Sequence, residues 1–123
     1  GPIGKRALYR MAEDNLAAYN YPSEELRANY DASKLTTAKT YYQKFLLLYP
    51  EEAKQNEVPQ KIEQIDEQMA QKQYTIGQYY RRTGEKRAAN LYFDMVVQNW
   101  PKTEAAALAK EALEENEEQT RGK

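Results

Sequence analysis

The chain contains neither cysteine nor histidine. Without thiols there is no disulfide framework, no thiolate nucleophile and no cysteine to carry a lipid within these 123 residues. Without imidazole the commonest general base and metal ligand is missing, and zinc sites built on Cys or His are excluded. Glycine and proline number five each, and no Gly-rich phosphate loop occurs. Strand signals are sparse, since β-branched residues do not cluster and no Asn-Gly or Asp-Gly turn separates alternating runs. The longest apolar run, Phe45–Tyr49, has about five residues, far short of the ~20 that span a bilayer. An excess of positive charge is lacking too: 18 Lys plus Arg stand against 19 Asp plus Glu, so the footprint that phosphate backbones demand is absent. Carboxylates come as neighbours, Glu24-Glu25, Glu51-Glu52, Glu114-Glu115 and Glu117-Glu118, which point apart on a helix and make no catalytic pair. These absences predict no catalytic residue, no metal site, no cofactor and no nucleic-acid partner.

What is present is apolar mass in a helical pattern. The chain is 41% hydrophobic and 30% charged, with eleven tyrosines, enough for one domain with a core of its own. Gly1-Pro2-Ile3-Gly4 reads as the remnant of a cleaved tag, and residues 5–123 as one helical repeat domain cut from a longer protein. Leu8, Ala12, Leu16 and Tyr19 predict a first helix over Lys5–Tyr19. Residues 20–33, with Pro22 and Asp31, predict a long connection with one short helical turn. Leu35, Ala38, Tyr42, Phe45 and Tyr49 predict a helix over Lys34–Tyr49 that stops at Pro50. Ile62, Ile65, Met69, Ile76 and Tyr80 trace one stripe on an unbroken helix from Pro59 to Thr83, closed by Gly84 in the left-handed region. A fourth helix runs from Lys86 to Trp100 before Pro101, and Thr103 caps a fifth, with a polar tail expected to fray from Glu114.

Placing Pro50 over Pro101 also aligns Ala38 with Ala89, Tyr41-Tyr42 with Tyr92-Phe93, and Tyr49 with Trp100. This is an internal repeat. Within Ala70–Thr103, a 34-residue unit, Gly77, Tyr80, Ala89, Phe93 and Pro101 fall at the spacing of the tetratricopeptide pattern. A glycine in mid-helix costs about 1 kcal/mol, so its presence at 77 predicts a close approach of two helices. The expected fold class is all-α, a tetratricopeptide-like antiparallel helix-hairpin array of about five helices including one long central helix. Tyr42, Tyr80, Tyr92 and Phe93, at helical spacing, are expected to be core.

The proline-to-proline spacing is 51 residues, and the excess lengthens the central helix. On this layout, with Ala38, Tyr42, Phe45, Leu46, Tyr49 and Pro50, then Ile62, Met69, Ala70, Tyr74, Tyr79, Tyr80 and Gly84, then Ala88, Ala89, Val96, Val97, Pro101, Thr103 and Ala112-Leu113, the chain resembles the BamD-like outer-membrane assembly lipoproteins. Two departures are Glu51-Glu52 after Tyr49-Pro50 and Leu91 at a frequent arginine position. The resemblance implies a non-catalytic, protein-binding scaffold at the periplasmic face of the outer membrane. It would assist assembly and insertion of β-barrel proteins, with assembly subunits or unfolded client segments as partners and a membrane contact only through an N-terminal lipid. Two other readings stay open: a soluble periplasmic tetratricopeptide protein of the CpoB-like kind, coordinating envelope constriction, and a generic tetratricopeptide adaptor.

In such an array the first helix of each repeat lines the inner surface, and its outward positions here are Gln71, Tyr74, Gln78, Arg81 and Arg82. Hydrogen-bonding amides, an aromatic face and two cations make these the expected partner-binding residues. The last helix, with Ala106, Leu108, Ala109, Ala112 and Leu113, is expected to leave an uncovered apolar edge and to promote self-association.

Overall fold

The computed structural model describes residues 4–21 and 32–121, so residues 1–3 and the part of the connection expected to hold a helical turn, 22–31, lie outside the described residues. Among the described residues the secondary structure is wholly helical: α1 (Lys5–Asn20), α2 (Ser33–Leu48), α3 (Pro50–Gln55), α4 (Val58–Arg82), α5 (Lys86–Asn99) and α6 (Glu104–Arg121). The class is all-α and tetratricopeptide-like, as the periodicity predicts. Two compact units divide at Ile65 and Asp66.

In the first unit, α1 and α2 run antiparallel, because Lys5 lies over the Tyr49 ring while Tyr9, one turn on, meets Phe45 and Tyr42. Leu8, Ala12 and Tyr19 of α1 and Leu35, Ala38, Tyr42 and Phe45 of α2 are buried, each set on one helical face. Lys61, in the first turns of α4, lies 4.7 Å from the Tyr9 ring centroid and donates to the Tyr9 hydroxyl. Its charge is therefore satisfied by aromatic faces and a phenol rather than by a carboxylate. Lys5 donates to Glu52 at 2.6 Å, and that hydrogen bond holds the Glu52 carboxyl below its ordinary range.

The sequence places a stop at Pro50, and α2 does end at Leu48, yet the chain re-enters a helix at once. Proline has no N–H to lose at the first helical position and its fixed φ suits it, so Pro50 both ends one helix and opens the short α3. Ala53 is buried on α3, which makes it a sixth helix that the five-helix expectation lacks. Between α3 and α4, Glu57 has φ of 55°, a left-handed conformation strained for a side chain with a Cβ.

The second unit holds α4 from Asp66 onward, α5 and α6. The long helix is unbroken over its 25 residues, as the stripe predicts. Gly84, at φ 84°, closes it as expected: the Gly84 N–H donates to Arg81 O at 3.2 Å and the Glu85 N–H to Tyr80 O at 2.9 Å. This is the Schellman pair of bonds, available to glycine without steric penalty. At Gly77 a Cβ would stand 2.6 Å from Cε1 and 2.9 Å from Cδ1 of Phe93. The glycine is there because the ring lies on the helix backbone. Ala70, Ala89, Phe93, Val96, Ala105, Ala106, Ala109 and Ala112 form one core cluster, with Tyr74, Tyr80, Val97, Trp100 and Leu113 packed at its margin.

The internal repeat is visible in backbone geometry. Tyr49 and Trp100, which precede the two prolines, adopt nearly the same conformation, φ −134°, ψ 65° and φ −136°, ψ 59°. Each donates its N–H four residues back, to Phe45 O and Val96 O. Ala38 and Ala89, Tyr42 and Phe93, and Phe45 and Val96 are buried in pairs, while Tyr92 and Tyr80, stacked at 5.7 Å, are only half-buried.

Two expectations are corrected at the end of the chain. The tail does not fray at Glu114: α6 continues to Arg121, because Asn116 is buried and donates to Asn90 Oδ1 at 2.7 Å. Nor is there an uncovered alanine edge. Ala106, Ala109 and Ala112 face the unit's own core with Leu113 beside them, and Leu108 alone of the five is exposed. Small side chains here serve close helix packing within the unit.

Four substitutions test this packing and the two left-handed corners. Gly77→Ala should overpack Phe93 by ~1–3 kcal/mol, more than the ~1 kcal/mol that alanine gains in a helix. The denaturation midpoint should fall, and adding Phe93→Leu should recover part of the loss; simple additivity of the two changes would refute the contact. Glu57→Gly should raise stability by up to ~1 kcal/mol by relieving the left-handed strain, whereas Gly84→Val should lower it by at least ~1 kcal/mol. Effects of the same sign would contradict the two backbone conformations.

A third test uses pH. Burial, with Tyr9 and Glu13 adding to it, pushes the Tyr42 phenol up to about 12 from its ordinary 10. The folded state holds this proton more tightly than the unfolded state, so the contribution is complete below about pH 10 and is lost as pH rises toward 12. Urea midpoints should drop between those values, and Tyr42→Phe should shrink the drop. An unchanged alkaline slope in the variant would assign the loss to other groups.

Candidate partner-binding face

All five expected binding residues lie on α4 within the second unit, and four follow one stripe at steps of three and four. Gln71 donates from Nε2 to Glu67 Oε2 at 3.1 Å. Tyr74, expected to point outward, is half-buried: its ring lies 5.5 Å from that of Phe93, tilted by 41°. An aromatic ring one turn from Gly77 gains more from covering the Phe93 ring than from facing water. Its hydroxyl accepts from Gln78 Nε2 at 2.5 Å. Arg81 pairs with Glu115 of α6, Nη2 to Oε2 at 2.5 Å, in a partly exposed position. Arg82, in the last turn of α4, is exposed.

The stripe extends back beyond Gln71, the first of the expected residues. Glu67, four residues before Gln71, points its carboxylate at the start of α6: Oε1 accepts the Glu104 N–H at 2.7 Å and Oε2 the Ala105 N–H at 3.0 Å. These amides are the orphan donors of a helix N-terminus, where the dipole also favours negative charge. Thr103 takes a third, accepting the Ala106 N–H at 3.1 Å on Oγ1, so the expected cap is present. The helical step from 67 to 71 is legible in sequence; that another helix begins against position 67 is not.

Two contacts fix how α6 lies. Glu67 meets Glu104 and Arg81 meets Glu115, 37 and 34 residues apart, both ascending in the same direction. So α4 and α6 run parallel with α5 antiparallel between them, and the ion pair joins positions one tetratricopeptide period apart. The face is thus a helix surface bordered by the following first helix, with two amides, a phenol and two guanidinium groups along it. It has hydrogen-bond donors along its length and positive charge at its C-terminal end. Among the described residues of this unit the large apolar side chains Tyr79, Leu91, Met95 and Leu108 are exposed, and none of them is one of the five expected binding residues.

No helix among the described residues is long and apolar enough to cross a membrane. No curated protein matches the chain significantly. The family model YfiO, described as outer membrane lipoprotein, matches residues 5–122, which takes in every helix and the whole of the candidate face. On that match, together with the tetratricopeptide-like helices, the chain belongs to the YfiO family of outer membrane lipoproteins, the BamD type that its repeat layout resembles.

Proposed function

We propose that this protein is a non-catalytic scaffold at the periplasmic face of the outer membrane, assisting assembly and insertion of β-barrel proteins. The observation that carries the reading is a family match extending over residues 5–122 rather than over one repeat. The chemistry agrees with it: a chain without Cys or His offers few reactive groups, and packed helices offer surfaces for non-covalent binding instead. Its partners would be assembly subunits or unfolded client segments, held without covalent change. Gln71, Gln78 and Arg82 would supply hydrogen bonds and charge, with Tyr74 as a wall and Arg81 shared with Glu115.

Arg82 gives the cleanest test, because it lies in the expected face and is exposed. A peptide of the C-terminal strand of an outer-membrane barrel protein should bind the chain, and Arg82→Glu should weaken it about tenfold, as loss of a charge-assisted contact does. Calorimetric titration reads the affinity and circular dichroism the fold. Unchanged affinity in a folded variant would remove this face as the site, and absence of binding to the wild type would count against the client-binding reading itself.

A further inference from the structure

Within the second unit the apolar groups that α6 buries completely are all small. Its buried apolar side chains are Ala105, Ala106, Ala109 and Ala112, whose four methyl carbons together equal the side chain of a single leucine, with Leu113 half-buried at the edge. By contrast α5 buries Phe93 and Val96. What holds α6 in register is polar and sits toward its two ends: the Glu67 carboxylate on the Glu104 and Ala105 amides at one, the Arg81–Glu115 pair and the Asn116–Asn90 bond at the other. The link to α5 is only the turn from Trp100 to Thr103, and it carries Pro101, which has no backbone donor to tie down.

The same pins occupy the candidate face. Glu67 is held by Gln71, and Glu115 takes Arg81, so α6 places a carboxylate on a guanidinium that the expected binding residues would present to a partner. We propose that α6 is a strap that opens as one unit: closed, it covers the Ala70–Ala89–Phe93 surface and Glu115 competes within the molecule for Arg81; open, both are available to an incoming acidic segment. This rests on the α4 face being the partner site. It adds a regulation to that site, because anything that releases the pins at either end raises the population of the open form. A helix that buries methyl groups and is registered by polar contacts toward its ends belongs to the kind of segment that opens below the global unfolding free energy.

Amide hydrogen exchange on the full chain tests it. Glu67→Gln removes the charge from two hydrogen bonds, and loss of one charge-assisted bond corresponds to about tenfold in an opening equilibrium. Exchange should quicken about tenfold across the middle of α6, Leu108 to Leu113, with α4 and α5 unchanged. Acceleration confined to Glu104–Ala107 would be end fraying and would overturn the strap, as would α5 accelerating in step with α6. Glu115→Gln, at a partly exposed pair, supplies the second arm. A labelled peptide of residues 104–121 should bind this variant several-fold more tightly than the wild type, and Arg81→Gln more weakly than Glu115→Gln. Equal affinities for all three proteins would reject the competition. The barrel-strand titration on Arg82 is read separately, so a strap that fails leaves the scaffold reading to that experiment, and a scaffold reading that fails leaves the exchange result in place.

Discussion

The ring of Phe93 rests on the backbone of Gly77, closer than any Cβ would permit, and the second unit is arranged around that contact. Because the ring takes the space a side chain at 77 would fill, α5 approaches α4 closely enough for Ala70 and Ala89 to be buried together. Tyr74 then covers the ring from one side, and that brings its hydroxyl to Gln78. A residue chosen as a binding group is thereby a packing group first. Tight packing leaves no slack for such a ring to move, which is why a single methylene matters here.

Close packing by small residues leaves the helix ends to polar chemistry. The four first amides of a helix have no partners of their own, and in α6 Glu67 and Thr103 supply acceptors for three of them. The acceptor from α4 does more than cap: it ties the start of one first helix to the preceding first helix, as Arg81 and Glu115 do one period on. Exposed ion pairs are worth little by themselves, so their role is to set register and not to supply the bulk of the stability. The candidate face and the attachment of α6 are consequently made from the same side chains.

The first unit solves a similar problem with rings and lysines. Tyr9, Tyr42, Phe45 and Tyr49 interleave between α1 and α2, and Lys5 and Lys61 lie against their faces. A cation over an aromatic ring keeps part of its solvation in the ring's negative face, so a lysine can be accommodated beside Tyr42 without a carboxylate. Tyrosine suits such a place because it offers apolar area and one hydroxyl that finds a partner.

Much of this was determined by the sequence alone. Absence of Cys and His limited the chemistry, the three-and-four spacing of apolar residues placed five helices, and Gly84 and Thr103 marked termini because their backbone and hydroxyl requirements are local. The Pro50–Pro101 alignment foretold two corners of the same backbone geometry. Tertiary structure decided what no local rule contains. Whether Pro50 ends a helix or opens the next depends on Ala53 finding a core to enter. Whether alanines of α6 form an edge or an interior depends on which helix lies beside them, since a methyl group carries no directional signal. Whether α6 ends at Glu114 depended on Asn90, a residue 26 positions from its partner Asn116. The side of α4 that Tyr74 occupies was set by Phe93, and the use of Glu67 by a helix start 37 residues away. Helix, turn and cap are decided within a few residues of the chain, whereas the choice between face and core is a property of what the completed fold brings alongside.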